Sequence, residues 1–103
     1  MINLTLLADA STKQALADVL RSIPEVERFF FTSVEEHSHQ LEHDELLSER
    51  DRVVGYVPRI RVDILLDAAS LSQVRNALGS SSCGLSGQCR YWVTPVSETG
   101  GLL

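Results

Sequence analysis

Hydrophobic and polar positions along the chain switch repeatedly between a period of two and a helical period. At the start Ile2, Leu4 and Leu6 alternate with Asn3 and Thr5. Strand side chains point to opposite faces in turn, so this alternation predicts a first strand. Leu16, Val19, Leu20 and Ile23 then recur at helical spacing. Ser11 followed by Gln14 has the spacing of a capping box, and Pro24 disfavours helical angles at the residue before it, which predicts a helix over residues 12–22. Residues 26–35 are rich in aromatic and β-branched side chains and predict a second strand. Its alternation sets Phe30, Thr32 and Val34 on one face and Phe29, Phe31 and Ser33 on the other. Large apolar groups thus stand on both faces. One layer of helices covers only one of them, which predicts a partner subunit over the other.

The period of two returns at Ile60, Val62, Ile64 and Leu66, with Arg59, Arg61 and Asp63 between them. Ser70 and Gln73 repeat the capping-box spacing, and Leu71, Val74, Ala77 and Leu78 form a second helical stripe. Gly79 is placed to close that helix in the left-handed conformation, and residues 79–84 read as a turn. Residues 88–96, centred on Tyr91, Trp92 and Val93, predict the last strand, with Pro95 stopping it or lying on an edge. The tail, residues 97–103, reads as mobile. The order β-α-β-β-α-β predicts one α+β domain over residues 1–103 with a ferredoxin-like fold: an antiparallel sheet, two helices on one face, and right-handed crossovers.

Between the second and third strands lies a polar insert, residues 36–54. Connections in compact domains usually run to about 4–6 residues, and much longer ones are functional or disordered. All three histidines, His37, His39 and His43, fall in this insert beside Glu35, Glu36 and Glu42. His37 and His39 share a side on an extended segment, and His39 and His43 share a face on a helical turn. Imidazole and carboxylate together suit zinc, copper or nickel, so these six residues are the candidate metal ligands; the alternative is a solvated polar loop. Asp44, Glu45, Glu49 and Asp51 extend the acidic run, which either attracts a cation or basic partner or keeps the loop soluble. Leu41, Leu46 and Leu47 add a short amphipathic turn.

The formal net charge of −5 disfavours nucleic acid and anionic membrane surfaces, which are bound through excess Lys and Arg. No run of about 20 apolar residues is present and the start carries no secretory signal, so the expectation is a cytoplasmic protein without direct membrane insertion. Cys83 and Cys89 have neither a CxxC nor a zinc-knuckle spacing, and in that compartment they are expected as reduced thiols. Arg59 and Arg61 either bind an anion, with Arg90 as a further candidate, or form cross-strand ion pairs. Phe29, Phe31, Tyr91 and Trp92 are the candidate oligomer interface. No GxSxG elbow is present and no histidine lies near either cysteine in sequence, so no enzyme is expected.

The segment from Tyr56 through Val57, Pro58, Arg59, Ile60, Arg61, Val62, Asp63 and Ile64 to Leu65 resembles the strand after the exposed T-loop of the PII-like and CutA-like superfamily. Tyr91, Trp92, Val93, Thr94, Pro95 and Val96 with Gly100 and Gly101 are similar to the last strand and tail of small PII-like families, some of them encoded beside heavy-metal efflux pumps. The resemblance implies a homotrimer with a regulatory role, with a membrane efflux protein as a possible partner. A passive divalent-metal-binding protein of CutA-like type is the first alternative, and a small ferredoxin-fold enzyme the second. The chain departs from these relatives in two respects: the tyrosine that is modified in the T-loop of typical PII proteins has no counterpart, since Tyr56 stands at the base of the insert, and it has no GxGxxG or GxxxxGK[ST] segment and its only lysine is Lys13. ATP binding is therefore not expected.

Overall fold

The computed structural model describes residues 1–38, 55–80 and 89–103. Four strands, β1 (Ile2–Asp9), β2 (Phe29–Glu36), β3 (Val57–Leu66) and β4 (Arg90–Pro95), form one sheet in the order β2-β3-β1-β4. Helix α1 (Lys13–Arg21) follows β1, and α2 (Leu71–Gly79) follows β3. All neighbouring strands are antiparallel. As a result β1 and β2 run in one direction with β3 between them, while β3 and β4 run in the other with β1 between them.

The alternation read in the sequence decides what each face carries. Leu4 lies opposite Ile64, Leu6 opposite Val62 and Ala8 opposite Ile60, and these join Leu16, Leu20, Val74 and Leu78 in one buried cluster. Both helices therefore lie on this face. Phe29 and Phe31 pair with Ile64 and Val62 and pack against the same cluster. They meet edge-to-face, with ring centroids 5.6 Å apart. The other face, which no described helix covers, carries Phe30, Thr32, Val34 and Glu36 from β2. It also carries Arg59, Arg61, Asp63 and Leu65 from β3, Asn3, Thr5, Leu7 and Asp9 from β1, and Arg90, Trp92 and Thr94 from β4.

The helix ends differ from expectation. Neither capping box forms. Each helix is entered through a 3-10 turn, Ala10–Thr12 and Ala68–Ser70, which starts the helical ladder before a Ser or Thr side chain is needed. The Asp9 carboxylate caps the first turn by accepting from the backbone N–H of Ser11 at 3.1 Å and from its hydroxyl. Gly79 is the last residue of α2 and has no positive φ, so Ser80, whose N–H donates to Asn76 O at 3.0 Å, ends the helix in its place. Of the turn expected over residues 79–84, residues 81–84 lie outside the described residues, as does residue 88, the expected start of the last strand. Pro95 sits in β4, an edge strand, where its missing N–H costs no interior ladder bond.

Gly55, just before β3, has φ +80°. A Cβ there would meet no atom within 4 Å, so only backbone strain resists substitution. Gly55→Ala is expected to lower stability by about 1 kcal/mol in urea unfolding, with an unchanged m-value.

Candidate functional site

The strand directions bring one set of chain ends together. The last residues of β1 and β2 and the first residues of β3 and β4 all lie at the same end of the sheet. The insert leaves and returns there. Its base is built by pairing: Glu36 lies opposite Val57 and Glu35 opposite Pro58. Beyond the ladder, the His37 ring lies 5.6 Å from that of Tyr56. The His37 Nε2 is 3.2 Å from Glu35 Oε1, and both side chains are exposed.

The expected metal ligands are only partly brought together. Glu35 and His37 are in contact, whereas Glu36 points to the open face because consecutive strand residues alternate. His39, Glu42 and His43 lie outside the described residues, as do Leu41, Leu46, Leu47 and the rest of the acidic run. Among the described residues, no three or more histidine, cysteine or acidic side chains gather as a metal-ligand group.

The three candidate anion ligands are all on the open face, and each meets a carboxylate. The Arg59 Nε donates to Glu36 Oε2 at 2.8 Å, and Arg59 Nη1 lies 3.8 Å from Asp9 Oδ1. The Arg90 Nη1 is 3.5 Å from Glu36 Oε1. Arg61 donates to Asp63 through Nε at 3.1 Å and Nη2 at 3.3 Å, and its guanidinium lies 5.8 Å from the centre of the Trp92 ring. Arg59 and Arg90 pair with carboxylates of other strands, whereas Arg61 pairs with Asp63 of its own strand, and no bare basic cleft forms among the described residues.

Asp63 is the hub of a second polar group. It accepts from the Thr5 hydroxyl at 2.9 Å and from Asn3 Nδ2 at 3.2 Å, as well as from Arg61. Thr5 is fully buried although it faces away from the helices. Burial disfavours the Asp63 carboxylate, but hydrogen bonds from Arg61, Thr5 and Asn3 and the charge of Arg61 outweigh it and hold the carboxyl below its ordinary range.

Among the candidate interface residues, Phe29, Phe31 and Tyr91 lie on the helix side and Trp92 on the open side. The Tyr91 hydroxyl accepts from Arg75 of α2 at 3.0 Å. The polar partners Asp9, Asp63, Thr5 and Asn3 are not among the residues that the sequence marks. An Asp or Thr within a strand gives no local sign of a partner on a strand distant in the chain. Cys89 packs partly against the core, and Cys83 lies outside the described residues.

A family model described as a protein of unknown function, DUF3240, matches residues 1–103. The chain belongs to the DUF3240 family. Among solved structures, the crystal structure of a DUF3240 family protein from Shewanella baltica OS155 is similar to it. That similarity has a TM-score of 0.75 at 22% identity, over 99% of this chain and 96% of the other. At that identity the likeness shows a shared fold. A search of curated proteins finds no match. No described helix of this DUF3240 chain is long and apolar enough to cross a membrane.

Proposed function

We propose that the chain is a non-enzymatic, PII-like regulatory protein that binds a transition metal or other small ligand. It would signal through the insert at residues 36–54 to a protein partner such as a heavy-metal efflux system. The strand order β2-β3-β1-β4, with each like-directed pair split by an antiparallel strand, supports the ferredoxin-like reading of the fold. The functional reading is carried by the contact of Glu35 with His37 at the pinned base of the insert. A carboxylate and an imidazole already stand within one ligand's reach of each other, and His39, His43 and Glu42 follow in the chain. Zinc, copper or nickel suits that donor set. Closing the insert on the metal would order it, at about 1–2 kcal/mol per residue fixed, which gives the modest affinity of a sensor.

The working unit is proposed to be a homotrimer assembled through the open sheet face. Phe30, Trp92 and Leu65 are 61%, 41% and 40% exposed on that face, more than a chain working alone would leave in water. The arginines there are already paired with carboxylates, so the face suits another protein surface better than a polyphosphate.

Metal titration calorimetry tests the reading. Wild type is expected to bind zinc, copper or nickel, and the triple variant His37→Ala, His39→Ala, His43→Ala is expected to lose that binding. Equal affinity in the two proteins would reject the metal site.

A further inference from the structure

The ion pairs at the insert end of the sheet make one chain across its whole width. Glu36 belongs to β2 and Arg90 to β4, which are the two opposite edges of the sheet. Their side chains meet above the open face at 3.5 Å, with Arg59 of β3 held by Glu36 at 2.8 Å and Asp9 of β1 lying 3.8 Å from Arg59. Every strand thus contributes one residue. Glu36 is the only member that touches both a central arginine and the far edge. It is also the residue at which β2 gives way to the insert. The Glu36 and Arg59 side chains are 16% and 17% exposed, so their contact is shielded, whereas that of Arg90 is 76% exposed. The Arg59–Glu36 contact is therefore the firm part of the strap and the Arg90 contact the releasable part.

We propose that Glu36 is a coupling residue. Through it the conformation at the mouth of the insert sets whether the start of β4 is strapped down across the open face. Glu35 and Glu36 point to opposite sides of one backbone, so a metal held by Glu35 and His37 would fix the peptide that also aims Glu36. The strap stands on its own geometry, and its control by metal rests on the reading proposed above.

Amide hydrogen exchange on the full chain tests both parts. The variants are Glu36→Gln, which removes the charge, Glu36→Asp, which keeps the charge but shortens the reach, and Glu35→Gln, on the other side. The first two are expected to speed exchange at Arg90 and Trp92, whose amides face β1, about two- to fivefold, the effect of freeing the start of an edge strand. Glu35→Gln is expected to leave that exchange unchanged. Exchange at Leu4 and Leu6 in the central strand should not move, which separates release of an edge from general destabilisation. Unchanged exchange at Arg90 and Trp92 in Glu36→Gln, or an equal rise at Leu4 and Leu6, would overturn the strap. In the second part zinc alone is added to wild type and to His37→Ala. A change at Arg90 and Trp92 in wild type only supports the coupling. Zinc binding without such a change overturns the coupling but leaves the strap standing. Absence of zinc binding rejects zinc as the metal and zinc's control of the strap, while the variant series still decides the strap itself.

Discussion

Phe31→Asp is expected to destabilise the folded chain strongly, and Phe30→Lys, one position away, to leave it folded but dissociate the proposed trimer. Phe31 stands opposite Val62, which is fully buried, and packs on the helix-side core. Its replacement removes most of a phenyl ring's burial and brings a carboxylate against that core, a loss of about 2–4 kcal/mol. Domains of this size are stable by about 5–15 kcal/mol, so the shift in urea midpoint should be large. Phe30 is 61% exposed and faces Asp63 across the ladder, so lysine there meets an opposite charge and costs the single chain little. On a dry face between copies the same lysine would lose its water, and Asp63 is already engaged by Arg61. Light scattering gives the mass and urea unfolding the stability. A trimer that survives Phe30→Lys would reject the open face as the interface.

Asp63→Ala should lower stability by about 2–4 kcal/mol, because it strands three donors at once: the buried Thr5 hydroxyl, Asn3 Nδ2 and the Arg61 guanidinium. Asp63→Asn keeps an acceptor for Thr5 and should cost less. The sign of the pH dependence follows from the lowered carboxyl. A group whose pKa is lower folded than unfolded contributes stability that is fully present above its unfolded pKa, about 4, and is lost as pH falls through the folded value. Wild type should therefore lose stability between about pH 4 and the lower folded value more steeply than Asp63→Asn. Parallel curves for the two proteins in urea unfolding across that range would show that Asp63 contributes nothing to acid sensitivity.

Much of the fold is legible in the chain because its signals are local and strong. The alternation at Ile60, Val62, Ile64 and Leu66, and the helical stripe through Leu16 and Leu20, depend only on neighbours within one element, and all six residues are buried. The exact element ends were less legible. A 3-10 turn and a serine capping box draw on the same Ser and Thr residues, and backbone geometry decides between them.

The sequence by itself determined the element order, the two faces of β2 and the concentration of candidate ligands in one insert. Tertiary structure alone decided which face of β2 the helices cover, because alternation separates two faces without saying which is inward. It therefore set Phe31 on the core and left Phe30 open. It also decided which carboxylate each arginine meets. Asp9 and Arg59 are 50 positions apart in the chain, and Glu36 and Arg90 are 54 apart. A charge pair over such separations exists only once strand register brings its partners to the same end of the sheet. No local pattern encodes that register; it is set by the packing of the whole hydrophobic face.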